Sequence, residues 1–192
     1  MLITTVPKSG SKLLKRILFQ AGVDVSRMAH TPYRPDAIAP DGRALCLIRD
    51  PRDLVVSLAA YADRAGANVQ AMARVARSQR ELQNIVYFGK VTNQLSAFDG
   101  WVSDPRCLTV RFEELVGPDR GGAADVQMAT ADRLADWLDV DRDRMRAAME
   151  AGIDTSTYRR GVAGAWRDEM APELAEIIGE LSGEVMRAWG YR

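Results

Sequence analysis

Short apolar runs alternate with amphipathic stretches along this chain. Leu2-Ile3-Thr4-Thr5-Val6 is apolar and β-branched and predicts a buried strand. After a Pro/Ser/Gly turn, Leu14, Ile17, Leu18 and Ala21 recur at helical spacing. Lys12, Lys15, Arg16 and Gln20 fall on the opposite side, and Gly22 fits as the stop. Residues 31–43 hold three prolines and a glycine and predict loop or broken structure. Ala44-Leu45-Cys46-Leu47-Ile48 predicts a second buried strand. Asp50 follows as an N-cap, Pro51 as the first helical residue and Asp53 as a capping-box-like partner.

Residues 68–98 read as mostly helical, with Met72, Val75, Leu82 and Val86 on one face. Cys107 to Phe112 predicts a third strand, running into Glu113-Glu114-Leu115. The glycine-rich residues 117–125 predict a mobile surface loop. Residues 127–151 predict two helices broken near Val140. Pro172 opens a last helix with Leu174, Ile177, Leu181, Val185 and Trp189 inward, ending near Gly190. Strands alternating with helices imply an α/β fold, a parallel β-sheet flanked by helices on both sides. Ligands of such sheets bind beyond the carboxyl ends of the strands.

At 192 residues the expectation is a single domain, residues 1–192. Hydrophobic residues make up 47% and charged residues 27%, a globular balance rather than a disordered one. Lys+Arg and Asp+Glu are equal at 26 each, which argues against a general binder of nucleic acid or anionic membrane. A local basic cleft stays compatible with that balance. Cys46 and Cys107 both lie in apolar runs, so no disulfide framework is expected and a reducing compartment is. His30 is the only histidine, which excludes a multi-histidine metal site. No signal peptide or membrane span is expected, and the localisation read from this is cytoplasmic.

Three stretches carry candidate chemistry. Pro7-Lys8-Ser9-Gly10-Ser11 joins a strand to a helix, where backbone N–H groups and the helix start suit an anion. Gly10 permits close approach of the backbone, Ser9 and Ser11 add hydroxyls, and Lys8 adds a charge. The pattern is not a Walker A loop, because Thr5 stands where its first glycine belongs. In the second stretch Arg49 ends a strand and Ser57 lies in the second turn of the next helix. Together they suit a second phosphate. The third stretch is Tyr158 to Arg167, with Arg159, Arg160, Gly161, Gly164 and Trp166 outside any clear period. It suits a basic loop folding over an anion. A nucleotide phosphorylated at both its 5′ and 3′ ends would satisfy all three.

In this order the motifs resemble those of the sulfotransferases that use 3′-phosphoadenosine 5′-phosphosulfate (PAPS). Lys8-Ser9-Gly10-Ser11 is similar to that family's PKSGT loop for the 5′-phosphosulfate. Arg49 with Ser57 eight residues on resembles its 3′-phosphate motif. Arg159-Arg160-Gly161 with Gly164 and Trp166 resembles its RKGxxGDW segment. Val110-Arg111-Phe112-Glu113-Glu114-Leu115 resembles its YEDL strand, and His30-Thr31-Pro32 its HLP.

The resemblance implies a P-loop NTPase-like sulfotransferase fold. It implies in-line transfer of a sulfonate from PAPS to a hydroxyl or amine, without a metal. Lys8 would neutralise the bridging oxygen and His30 would be the general base. Backbone groups of Ser9, Gly10 and Ser11 would hold the 5′-phosphate. Arg49, Ser57, Arg159 and Gly161 would hold the 3′-phosphate, with Arg160 at the family's lysine position.

The chain departs from the pattern at several places. Met28 stands where a lysine often assists transfer, and Lys12 is a candidate replacement for that charge. Leu13 replaces an aromatic residue that often stacks on adenine, and Ala165 replaces an aspartate. The expected partner is a small-molecule, carbohydrate or lipid acceptor. Tyr33, Tyr61, Tyr87, Phe88 and Trp101 are candidates for its cleft and equally for the core. The competing readings are a P-loop kinase of a small molecule and a non-catalytic nucleotide-binding protein of the same fold.

Overall fold

The computed structural model describes residues 1–57, 94–151 and 161–192. Most of the predicted 68–98 helical stretch lies outside them, as do Tyr61, Tyr87, Phe88, Arg159 and Arg160. The chain divides into two compact units. The first is Met1–Arg49 with Trp101–Ala163, and the second is Asp50–Gly100 with Gly164–Arg192.

The first unit is built on a parallel sheet of β1 (Leu2–Thr5), β2 (Ala44–Ile48) and β3 (Cys107–Arg111), in the order β1-β2-β3. Ile3 pairs with Leu45, and Cys46 with Thr109. β2 is central and every one of its residues is buried, which is why its sequence is an unbroken apolar run rather than an alternating one.

Helix α1 (Ser11–Gln20) buries Leu13, Leu14, Ile17 and Leu18 and exposes Lys12 and Lys15. It ends as predicted at Gly22, whose φ of 88° lets the Val23 N–H turn back to the Leu18 carbonyl at 2.8 Å. β3 stops one residue earlier than its apolar run suggests. The Glu114 carboxylate accepts the Arg111 N–H at 3.0 Å, and Phe112 begins the short helix α2 (Phe112–Leu115).

Residues 117–125 are more structured than the predicted loop. They hold a 3-10 turn at Pro118–Arg120, and Gly122 lies so close to the Val116 carbonyl that a Cβ would overlap it. Helix α3 (Ala124–Leu138) then begins within the predicted loop. Asp139, in the left-handed region, separates α3 from α4 (Arg142–Glu150), which Asp141 caps by accepting the Arg144 N–H. Leu14, Leu18, Leu45, Leu47, Phe112, Leu134 and Met145 form the centre of this unit's core. Both cysteines are free, and burial pushes the Cys107 thiol up to about 12, so it stays protonated.

The second unit contains helical residues 51–57, α5 (Trp166–Glu169), α6 (Pro172–Leu181) and α7 (Gly183–Ala188). Val55, Val56, Met170 and Ile178 form its core, with Trp166 and Leu174 packed against them. The single last helix predicted from Pro172 is in fact two. Ser182, at φ -98° and ψ 6°, separates them, and the buried face runs through Ile178, Ser182, Val185 and Trp189, which leaves Leu181 beside it and 41% exposed. Val185 and Trp189 are buried as predicted. No helix among the described residues is long and apolar enough to cross a membrane.

Candidate active site

Ser9 ties the turn after β1 back to the strand. Ser9 donates both its N–H and its hydroxyl to the Val6 carbonyl, at 3.1 and 2.7 Å, and is fully buried. The turn needs two left-handed residues, Lys8 at φ 69° and Gly10 at φ 104°. For a lysine this conformation costs about 1–2 kcal/mol. Gly10 is the N-cap of α1, and no side chain caps that end. The leading N–H groups of α1 therefore add partial positive charge beside Lys8. Lys12 lies exposed in the same first turn.

His30 reaches this turn along the edge of β1 opposite β2. Thr4 bridges Ala29 in parallel, the Thr5 N–H donates to the Ala29 carbonyl at 3.0 Å, and the Thr4 hydroxyl bonds the backbone of Thr31. Residues 29–31 are thereby laid along the strand. His30 Nδ1 stands 2.7 Å from the Thr5 carbonyl oxygen and 2.9 Å from Thr5 Oγ1, which is itself 2.8 Å from Ser11 Oγ. Positions 5, 11 and 30 form one polar cluster. The Thr31 carbonyl also accepts the Trp101 indole N–H at 2.9 Å. Trp101 is fully buried and so belongs to the core. Tyr33 meets it edge-on at 4.9 Å and donates to Asp104.

Arg49, at the end of β2, is 7% exposed. Its guanidinium lies 4.1 Å from the centre of the Phe112 ring, and Nη2 donates to the Val162 carbonyl at 2.8 Å. Gly161, at φ 59°, precedes that carbonyl, and the Ala163 N–H donates to Arg120. Arg49 and the Gly161–Val162 backbone are thus brought together across 113 residues of chain. Leu13 is buried in the core, and Met28 packs against the same core.

The second unit holds Ser57, half-buried among helical residues 51–57. There Asp50 accepts the Arg52 N–H at 2.9 Å and pairs with its guanidinium at 3.0 and 2.8 Å. Arg52 also covers the Trp166 ring at 4.0 Å. Asp53, expected as a local cap, has a long-range role. Its fully buried carboxylate accepts the N–H groups of Gly164 and Trp166 at 2.7 and 2.9 Å.

Pattern reasoning missed Thr5, Phe112 and this role of Asp53. The signal for Thr5 was present, since two adjacent threonines in a buried strand must find hydrogen-bond partners.

No protein-family model matches this chain, and no curated protein matches it. Solved structures do. The mouse sulfotransferase SULT7A1, complexed with PAP, is similar with a TM-score of 0.64 at 17% identity, over 97% of this chain and 84% of that one. Retinol dehydratase, in complex with androsterone and inactive cofactor PAP, is similar with a TM-score of 0.50 at 18% identity, over 88% of this chain and 56% of that one. With a parallel sheet flanked by helices and these structural neighbours, the chain has the sulfotransferase fold.

Proposed function

We propose that this protein is a PAPS-dependent sulfotransferase that moves a sulfonate to a hydroxyl or amine of an acceptor. The observation that carries the reading is the cluster of Thr5, Ser11 and His30. It joins the one histidine of the chain to the turn that suits a phosphosulfate. In this reading the leading N–H groups of α1 and the Ser11 hydroxyl hold the 5′-phosphate. Ser9 builds the turn, and Gly10 lets the donor approach the backbone. His30 takes the proton from the acceptor as its oxygen or nitrogen bonds to sulfur. The sulfur–oxygen bond to the bridging oxygen breaks, and Lys8, with Lys12 nearby in sequence, neutralises the charge left on that oxygen. Adenosine 3′,5′-bisphosphate departs.

Arg49 with the Gly161 backbone supports a site for the 3′-phosphate, as a guanidinium offers two parallel donors to such a group. Ser57, Arg159 and Arg160 keep the roles that motif resemblance assigns them. The androsterone bound by one structural neighbour favours a small apolar molecule as the acceptor class. The test is calorimetric titration with adenosine 3′,5′-bisphosphate and with 5′-AMP, in the absence of metal. Tight binding that requires the 3′-phosphate is expected. Equal affinity for the two nucleotides overturns the reading.

A further inference from the structure

The position of His30 against β1 determines which of its nitrogens carries the proton. A carbonyl oxygen has no proton to give, so an imidazole nitrogen 2.7 Å from the Thr5 carbonyl must be the donor of that bond. The alternative tautomer would set the Nδ1 lone pair against the carbonyl lone pairs at the same distance. Nδ1 therefore holds the proton, and Nε2 is the nitrogen with an open lone pair. Among the described residues both hydrogen bonds of His30 run through Nδ1, and the ring is otherwise exposed. With Nδ1 protonated, the Thr5 hydroxyl accepts from that N–H and shares a second hydrogen bond with the Ser11 hydroxyl.

We propose that Thr5 is the positioning residue of this site. Its carbonyl fixes His30 as the Nδ1–H tautomer with Nε2 as the acceptor of a proton, and its hydroxyl links that choice to Ser11 of the phosphate turn. The catalytic meaning of Nε2 rests on the sulfotransferase reading, but the tautomer does not. Free histidine side chains favour the opposite tautomer, so the protein must impose this one.

A single histidine makes the test direct. Long-range proton–nitrogen correlation spectra of nitrogen-15-labelled protein report the state of each ring nitrogen with no overlap. They need neither donor nor acceptor. With the ring neutral, the expected spectrum shows a protonated Nδ1 and an unprotonated Nε2. Thr5→Val removes the hydroxyl, which can pair with either tautomer, and keeps the carbonyl, which can pair with only one, so a protonated Nδ1 is expected to persist. Thr5→Ser keeps the hydroxyl as well and is expected to show the same ring state. An Nε2–H ring in the unmodified protein overturns the proposal, as does an Nε2–H ring in a folded Thr5→Val protein, which would place the choice in the hydroxyl and not in the carbonyl. If Thr5→Val fails to fold, the unmodified protein and Thr5→Ser still decide. Failure of the separate adenosine 3′,5′-bisphosphate titration would remove the sulfotransferase reading and leave the tautomer result standing.

Discussion

Gly10 lies against the ring of Phe112 so closely that a Cβ at residue 10 would stand 2.6 Å from Phe112 Cδ2. Phe112 is fully buried, and the Arg49 guanidinium lies against its ring, so the ring has little room to yield. Gly10→Ala combines this overlap with a φ of 104° and is expected to cost roughly 1–3 kcal/mol in urea unfolding. In a Phe112→Leu background the cost of Gly10→Ala should shrink, because the overlapping ring carbons are gone. A constant cost would place the whole penalty in the backbone.

Lys8 holds a left-handed conformation that alanine tolerates no better than lysine. Under the proposed function, Lys8→Ala and Lys8→Gly should both lose sulfonate transfer by orders of magnitude. Lys8→Gly should be the more stable of the two by about 1 kcal/mol in thermal or urea unfolding. Retained turnover in either variant would remove Lys8 from the chemistry.

Arg49 is placed by a backbone carbonyl and an aromatic ring. Arg49→Ala should weaken adenosine 3′,5′-bisphosphate about tenfold or more, the worth of a charged hydrogen bond, and leave 5′-AMP nearly unaffected. Arg49→Lys should not restore the loss, since an ammonium lacks the planar pair of donors. Calorimetry with both nucleotides measures the difference.

Asp53 accepts two backbone N–H groups from the turn at 164–166 while fully buried. Asp53→Asn puts an NH2 group where one of those donors needs an acceptor. It should destabilise the protein by about 1–3 kcal/mol, read from the midpoint of urea unfolding. A near-neutral result would mean that the turn is held by other contacts.

Asp104 is held down to about 2, first by the Arg106 guanidinium and then by the Arg106 N–H and the Tyr33 hydroxyl. A carboxyl depressed in the folded state stabilises the fold fully above the ordinary aspartate range. That contribution is lost as pH falls from about 4 toward 2. Asp104→Asn should therefore be less stable near neutral pH, and its stability curve should approach that of the unmodified protein in acid. Parallel curves across that range would show that Asp104 is not the group titrating.

Local pattern determined much of this protein. The run Ala44–Ile48 is β2 at both ends, because a strand buried on both faces admits no polar position. The spacing of Leu14, Ile17 and Leu18 placed α1, and Gly22 its end, because helix periodicity and a left-handed stop are properties of neighbouring residues. The sulfotransferase fold that the motif resemblance implied is likewise the fold of the structural neighbours.

Other features depended on residues far apart in the chain. Thr5 reads as one more β-branched strand residue until segment 29–31 lies along β1 and brings His30 to its carbonyl. Asp53 reads as a helix cap until the turn at 164–166 presents two N–H groups 111 and 113 residues away. Leu181 keeps the period of a buried position, yet Ser182 takes the buried place beside it and Leu181 lies outside. Periodicity records which face of an element is apolar. Which polar group meets which across long loops leaves no periodic trace, and only the packed chain decides it.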